Sequence, residues 1–165
     1  MILPPSPEQP ASDEEYLPPE VQQLLLEAVD EGFARYCCGP KAAPFALVAA
    51  YQWEDYVDLV TIQRFDRITT ARVVAHKRSH LDMFAPESVV WAYEGPPQSA
   101  LRALLDLVHP QHVDAPTCAY PAPPGLHIPR SRQRPMTIQL PPPNRAGARA
   151  ARLAATMTAG VAICS

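Results

Sequence analysis

Hydrophobic and polar residues alternate along residues 45–94, in four runs that are rich in β-branched and aromatic side chains. A period of two predicts strands, because successive side chains of a strand point to opposite faces of the sheet. The runs are FALVAAYQW (45–53), YVDLVTIQRF (56–65), ITTARVVAHK (68–77) and SVVWAYE (88–94). Links of two residues join the first three runs, so the pattern predicts a four-stranded antiparallel meander.

The tight links also predict the register of the first three strands, because they place Trp53 opposite Tyr56 and Phe65 opposite Ile68. One face of the sheet then holds Phe45, Leu47, Ala49, Tyr51, Val60, Ile62, Ala71, Val73 and Ala75. The other face is more mixed and includes Arg72. We therefore expect helices to cover the first, apolar face.

Two segments have the helical period that such a cover requires. Residues 19–36 begin with a proline and an acid, which suit the first turn of a helix, and CCGP (37–40) follows their end. Residues 97–109 carry an apolar stripe at helical spacing, formed by Leu101, Leu104, Leu105 and Val108. The sequence thus predicts one α+β domain over residues 19–113, with helices packed on one face of the sheet.

Proline marks where this domain should end. The chain contains 21 prolines, of which six fall within residues 1–19 and nine within residues 116–143. Segments of this composition bury too little apolar surface to offset the entropy of ordering. The predicted organisation outside the domain is a disordered acidic arm (1–18), an extended arm (114–143) with a candidate edge strand (136–140), and an arginine- and alanine-rich helix and tail (144–165).

Charge is distributed unevenly between the two ends of the chain. Residues 1–34 contain eight acids and no base, whereas residues 115–165 contain six arginines and no acid. Arg145, Arg149 and Arg152 share one face of the predicted C-terminal helix and are the candidate binding residues. The alanines beside them offer little apolar area for docking, so we expect a free basic stripe. It would face water or bind an acidic protein, nucleic acid or the chain's own acidic arm.

Histidine spacing raises the question of a zinc site. His76 and His80 lie four residues apart, but in a strand that spacing separates the rings by roughly 13 Å, too far for one metal ion. A second set, His109, His112 and Asp114, lies at the end of a predicted helix. Neither set has the pattern of a known zinc motif, so we expect no metal and no cofactor.

The remaining chemistry-bearing residues match no catalytic motif. The four cysteines form no C-x-x-C pair, and Cys37 and Cys38 lie at the end of a helix that does not stabilise a thiolate. Glycine-rich phosphate loops and the G-x-S-x-G motif are absent from the sequence. We assign no catalytic residue, and the low cysteine content together with the lack of a long apolar stretch favours a cytoplasmic protein that does not enter a membrane.

The function best supported by these patterns is a non-catalytic protein-interaction or regulatory module. It would bind a protein partner or a second copy through the half-apolar sheet face, a sheet edge or the arms. One alternative is a small enzyme, whose pocket would bring together two or more of His76, His80, Asp82, His109, His112 and Cys118. Another is a nucleic-acid-associated protein that uses the C-terminal arginines, although the pI of about 5.9 is unfavourable for that role.

Overall fold

The fold is taken from a computed structural model, which describes residues 17–75 and 82–164, and side chains as far as Met157. Most of the predicted disordered arm lies outside the described residues. His76 and His80 lie outside them as well.

A seven-stranded antiparallel sheet forms the centre of the molecule. Its strands are β1 (Ala34–Cys38), β2 (Ala46–Gln52), β3 (Tyr56–Ile62), β4 (Ile68–Val74), β5 (Ser88–Gly95), β6 (Tyr120–Pro121) and β7 (Met136–Gln139). They are arranged in the order β6-β5-β4-β3-β2-β1-β7. The α+β class agrees with the sequence prediction, but the predicted number of four strands was wrong. β2 to β5 match the four predicted runs, and β7 matches the candidate edge strand of residues 136–140. β6 was not predicted, and residues 34–36 of β1 were predicted as the end of the first helix.

Three α-helices in the described part of the chain accompany the sheet: α1 (Pro19–Glu31), α2 (Pro97–Leu105) and α3 (Ala148–Cys164). α1 is shorter than predicted because Gly32 adopts a left-handed conformation with φ of 104°. There the N–H groups of Gly32 and Phe33 donate to the carbonyls of Val29 and Ala28, closing the last turn. A side chain at Gly32 would also lie 2.5 Å from the backbone oxygen of Arg145. The chain therefore reverses here, and the following residues are free to pair as β1.

α1 and α2 pack on one face of the sheet and form the larger part of the core. Leu101, Leu104 and Leu105 of α2 are buried, which confirms most of the predicted stripe. Their partners include these buried side chains of α1 and the sheet: Val21, Leu24, Leu25, Ala28, Leu47, Ala49, Tyr51, Val60, Ile62 and Ile68. Phe45, which we also expected on this face, is 46% exposed.

The register between β3 and β4 differs from the prediction, and the difference reverses the faces of β4. Thr61 pairs with Thr69, so a longer link than two residues joins the strands. An odd shift in register exchanges the two faces of a strand. As a result Ala71 and Val73, which we expected on the helix face, belong to the second face. Arg72, which we expected on the second face, is buried on the helix face.

The second face of the sheet is covered by a short 3-10 helix (Pro124–Leu126) and irregular segments rather than by α-helices. Leu126 and Ile128, from the predicted extended arm, are fully buried against it. The N–H of Ile128 donates to the carbonyl of Phe84 at 2.7 Å, and the side chain of Gln63 donates to the carbonyls of Gly125 and His127. Residues past 113 contribute strands to the sheet and side chains to the core on its second face. Whether residues 19–113 fold independently of them stays a prediction.

Candidate functional site

Arg149, one of the three candidate binding residues, lies in the interior. Its side chain is 0% exposed, and its Nε donates to Oδ2 of Asp58 at 3.0 Å. Its Nη2 donates to the backbone oxygen of Leu104 at 2.8 Å, at the C-terminal end of α2, where a positive charge is favourable. The expected free basic stripe is therefore wrong at Arg149, because a buried cation with internal partners presents no charge to a ligand.

Asp58 on β3 is the centre of this arrangement. Arg72 on β4 binds it with two nitrogens, with Nε 2.7 Å from Oδ1 and Nη2 3.1 Å from Oδ2. The indole N–H of Trp53 donates to the same carboxylate at 2.9 Å. Asp58, Arg72, Arg149 and Trp53 together are called the Asp58 cluster below. Asp58 and the two arginines have fully buried side chains.

The other two candidate arginines lie at the rim of the same arrangement. Arg152 binds Glu31 at the end of α1, with Nε and Nη2 at 2.9 and 2.8 Å from its two oxygens, and remains 44% exposed. Arg145 donates to the backbone oxygen of Asp30 at 2.8 Å. All three arginines therefore fasten the C-terminal segment to the domain. Their binding of an outside partner stays a prediction.

Sequence reasoning missed Asp58 and Arg72 as partners of Arg149. One signal was available, since Asp58 shares strand parity with Val60 and Ile62, which were assigned to the helix-covered face. A charged residue at that position needs a buried partner of opposite sign. The wrong register of β4 then placed Arg72 on the other face and hid the pair.

The chemistry of the Asp58 cluster is structural. Arg72 donates a further bond to the carbonyl of Val108, and Arg149 donates others to Leu105 and Glu31. These bonds use the arginine donors within the chain, and the carboxylate accepts from three side chains. The cluster ties β3 and β4 to α2 and α3.

An open groove of about 420 Å³ adjoins the Asp58 cluster. Trp53, Tyr56 and His109 are among its lining residues, and the rings of Trp53 and His109 meet edge to face with centroids 4.7 Å apart. Burial lowers the pKa of His109, and the nearby charges of Arg72 and Arg149 lower it further. Of the six residues named for an enzyme pocket, His109 is the one found in this groove within the described part of the chain.

The second histidine set is engaged in local turns. Nδ1 of His109 accepts the N–H of Gln111, and Nδ1 of His112 accepts the N–H of Asp114. Within the described residues, no three histidine, cysteine or acidic side chains are grouped as a metal site requires. The expectation of no zinc remains a prediction, because His76 and His80 lie outside the described part.

Among the described cysteines, Cys38 has a buried thiol. Burial, and then the neighbouring Cys37, raise the pKa of Cys38 to about 11, so its thiol stays protonated at neutral pH. Cys118 is exposed in the irregular segment before β6. A nucleophile needs a lowered pKa, so Cys38 is unsuited to that role.

The outer edge of β7 has no partner strand among the described residues. β7 pairs with β1 on one side and ends the sheet on the other. The N–H of Gly39 donates to the carbonyl of Pro135. Because inward and outward groups alternate along an antiparallel edge, Thr137 and Gln139 face β1, whereas the N–H and C=O groups of Met136 and Ile138 point outward. The same alternation, continued one residue past β7, gives Leu140 the outward direction. These outward groups make no backbone hydrogen bond to any described residue.

Apolar side chains surround this open edge. Ile138 is 56% exposed and Leu140 is 74% exposed. Tyr36 on β1 pairs with Ile138 and is itself only half-buried, as is Met136. Met136, Ile138, Leu140 and Tyr36 are called the β7 edge surface below. A backbone ladder without a partner beside exposed apolar side chains is the usual platform for adding a strand.

Comparison of this chain with protein-family models, with curated proteins and with solved structures finds no match. No helix in the described part of the chain has both the length and the apolar character needed to span a membrane.

Proposed function

We propose that this protein is a non-catalytic interaction module that binds an extended polypeptide segment along the β7 edge surface. The observation that carries the proposal is the open ladder of β7, whose outward backbone groups at Met136, Ile138 and Leu140 have no described partner. A bound strand would satisfy these groups. Alternate side chains of that strand would then lie beside Ile138 and Leu140.

Features elsewhere in the molecule make the two alternatives weaker. Among the described members of the set that an enzyme pocket would bring together, the groove contains His109 alone. A nucleic-acid role was based on the C-terminal arginines, and Arg149 is buried while Arg152 pairs with Glu31. A cytoplasmic location is proposed only from the low cysteine content of the sequence.

Selection from a library of random nine-residue peptides tests the proposal. Wild-type protein and the Ile138→Lys variant are immobilised at low density, and enriched peptides are compared. We expect wild-type protein to enrich peptides with alternating apolar residues and the variant to lose them. Amide hydrogen exchange with a selected peptide should show protection at Met136, Ile138 and Leu140. Enrichment that is unchanged by the substitution would contradict the proposal.

A further inference from the structure

β7 is complementary to a second copy of itself. In an antiparallel pairing of two β7 strands centred on Ile138, Ile138 lies opposite Ile138, and Met136 lies opposite Leu140. Met136 and Ile138 direct their backbone groups outward, as derived from the bond between Gly39 and Pro135, and the pairing extends the strand by one residue to Leu140. Each opposed pair exchanges two bonds, so the three pairs form six. A centre at Thr137 or Gln139 gives two pairs and four bonds, so Ile138 is the favoured centre.

The side chains agree with this register. Residues directly opposite one another project from the same face of the sheet. Met136, Ile138 and Leu140 would therefore form one apolar row across the two copies, which Tyr36 extends on each side. On the helix face Thr137 would lie opposite Gln139 of the other copy, a polar and uncharged pair. Since the strand contains no charge, the pairing brings no like charges together.

The prolines that flank β7 are compatible with the same pairing. Pro135 and Pro141 have the parity of Thr137 and Gln139, so the N–H that each proline lacks belongs to the inward side. They end the strand without removing an outward donor. At the opposite edge of the sheet, β6 has only two residues, one of which is Pro121. A symmetric pairing of β7 with β7 occupies this edge in both copies and closes on itself, so it does not continue through β7 into a fibre.

From this complementarity we infer that the segment bound at the β7 edge surface is β7 of a second copy, which gives a symmetric dimer with a continuous sheet. The inference rests on the proposed function of that surface. A single short strand buries less area than a standard interface, so we expect association to be weak, with a dissociation constant on the order of micromolar or above.

Sedimentation over a wide range of concentrations tests the dimer in the full-length chain. Wild-type protein should show a reversible monomer–dimer equilibrium. Ile138→Lys should weaken it at least tenfold, because two lysines would be opposed at the symmetry axis. Val113→Lys is the matched control, since Val113 is 91% exposed and lies outside the sheet, and it should leave the equilibrium unchanged. A mixture of the Ile138→Lys and Ile138→Glu variants should recover dimers, because opposite charges would then meet.

Cysteine cross-linking tests the register. In a background with Cys118→Ser and Cys164→Ser, Ile138→Cys should form an intermolecular disulfide, because opposed residues of a bonded pair have Cα atoms about 5.5 Å apart. Gln139→Cys should not, because its two copies are diagonal neighbours at roughly 7–8 Å.

Monomeric wild-type protein at every concentration would overturn the dimer. The peptide selection would then decide separately whether the surface binds another segment. A dimer that is insensitive to Ile138→Lys would overturn the inference as well, because the contact would involve a different surface. Equal cross-linking at residues 138 and 139 would contradict the register centred on Ile138.

Discussion

Nε of Arg149 lies 3.0 Å from Oδ2 of Asp58, so an ion pair joins the last helix to the third strand across 91 positions of sequence. α3 contributes little apolar area to the core, with Leu153 as its buried apolar side chain among those described. Polar contacts therefore hold this helix in place. This situation is opposite to that of α2, which docks through its leucines.

Loss of the Arg149 side chain should destabilise the fold. Arg149→Met removes one donor from Asp58 and the 2.8 Å bond to the carbonyl of Leu104, although Arg72 still pairs with Asp58. We expect the free energy of unfolding in urea to fall by about 3 kcal/mol, the low end for a broken buried pair. Arg152→Gln, at a partly exposed pair, should cost less than about 1 kcal/mol. Similar losses in both variants would show that burial of Arg149 does not matter.

The apolar stripe of α2 should contribute more to stability than any exposed leucine. Leu104 on α2 is fully buried, whereas Leu26 on α1 is 56% exposed. Leu104→Ala should lower the free energy of unfolding by about 2–5 kcal/mol, because it removes buried methyl groups and leaves a cavity. Leu26→Ala serves as the control and should change it by about 0.5 kcal/mol or less. Comparable losses at the two sites, measured by urea denaturation, would contradict the observed packing.

Local patterns allowed much of the central fold to be predicted from the sequence. The period of two marked β2 to β5, and the turn between β2 and β3 was placed correctly, since the N–H of Trp53 donates to the carbonyl of Tyr56. The stripe on α2 was assigned because helix packing depends on spacing within one segment. In each case the information lies within a few neighbouring residues.

Long-range pairing explains what the sequence did not reveal. The register of β4 depends on a link whose length is not apparent from its residues, and the error reversed the assignment of Arg72. β7 lies beside β1, about a hundred residues earlier in the chain, as the contact between Arg35 and Gln139 shows. Arg149 was assigned to solvent because its local helix is rich in alanine. Its buried partner Asp58 could be recognised only once the strands were aligned.

Close packing of the proline-rich segment on the second face can be tested at Gly125. A Cβ at this position would collide with Oγ1 of Thr69, so Gly125→Ala should be destabilising by about 1–3 kcal/mol. Thr69→Ala removes the colliding oxygen, and the double variant should recover part of the loss. If the loss in the double variant equalled the sum of the two single losses, the segment would not approach β4. Urea unfolding of the three variants provides the measurement.

The ring of His109 should make stability depend on pH in the mildly acidic range. Burial first, and then the charges of Arg72, Arg149 and His112, lower its pKa in the folded protein. In the unfolded chain a histidine titrates near 6.5, so the unfolded state binds the proton more readily. The free energy of unfolding should therefore fall as the pH drops below about 6.5, until the pH passes the pKa of the folded state.

His109→Gln removes this proton-binding difference, so the midpoint of urea unfolding should change less between about pH 7 and pH 5 than in wild-type protein. An NMR titration of the ring gives a direct measurement and should place the pKa of His109 below about 6.5. A pKa at or above that value, or an unchanged pH dependence in the variant, would show that burial and the positive charges of the Asp58 cluster do not lower the pKa of His109.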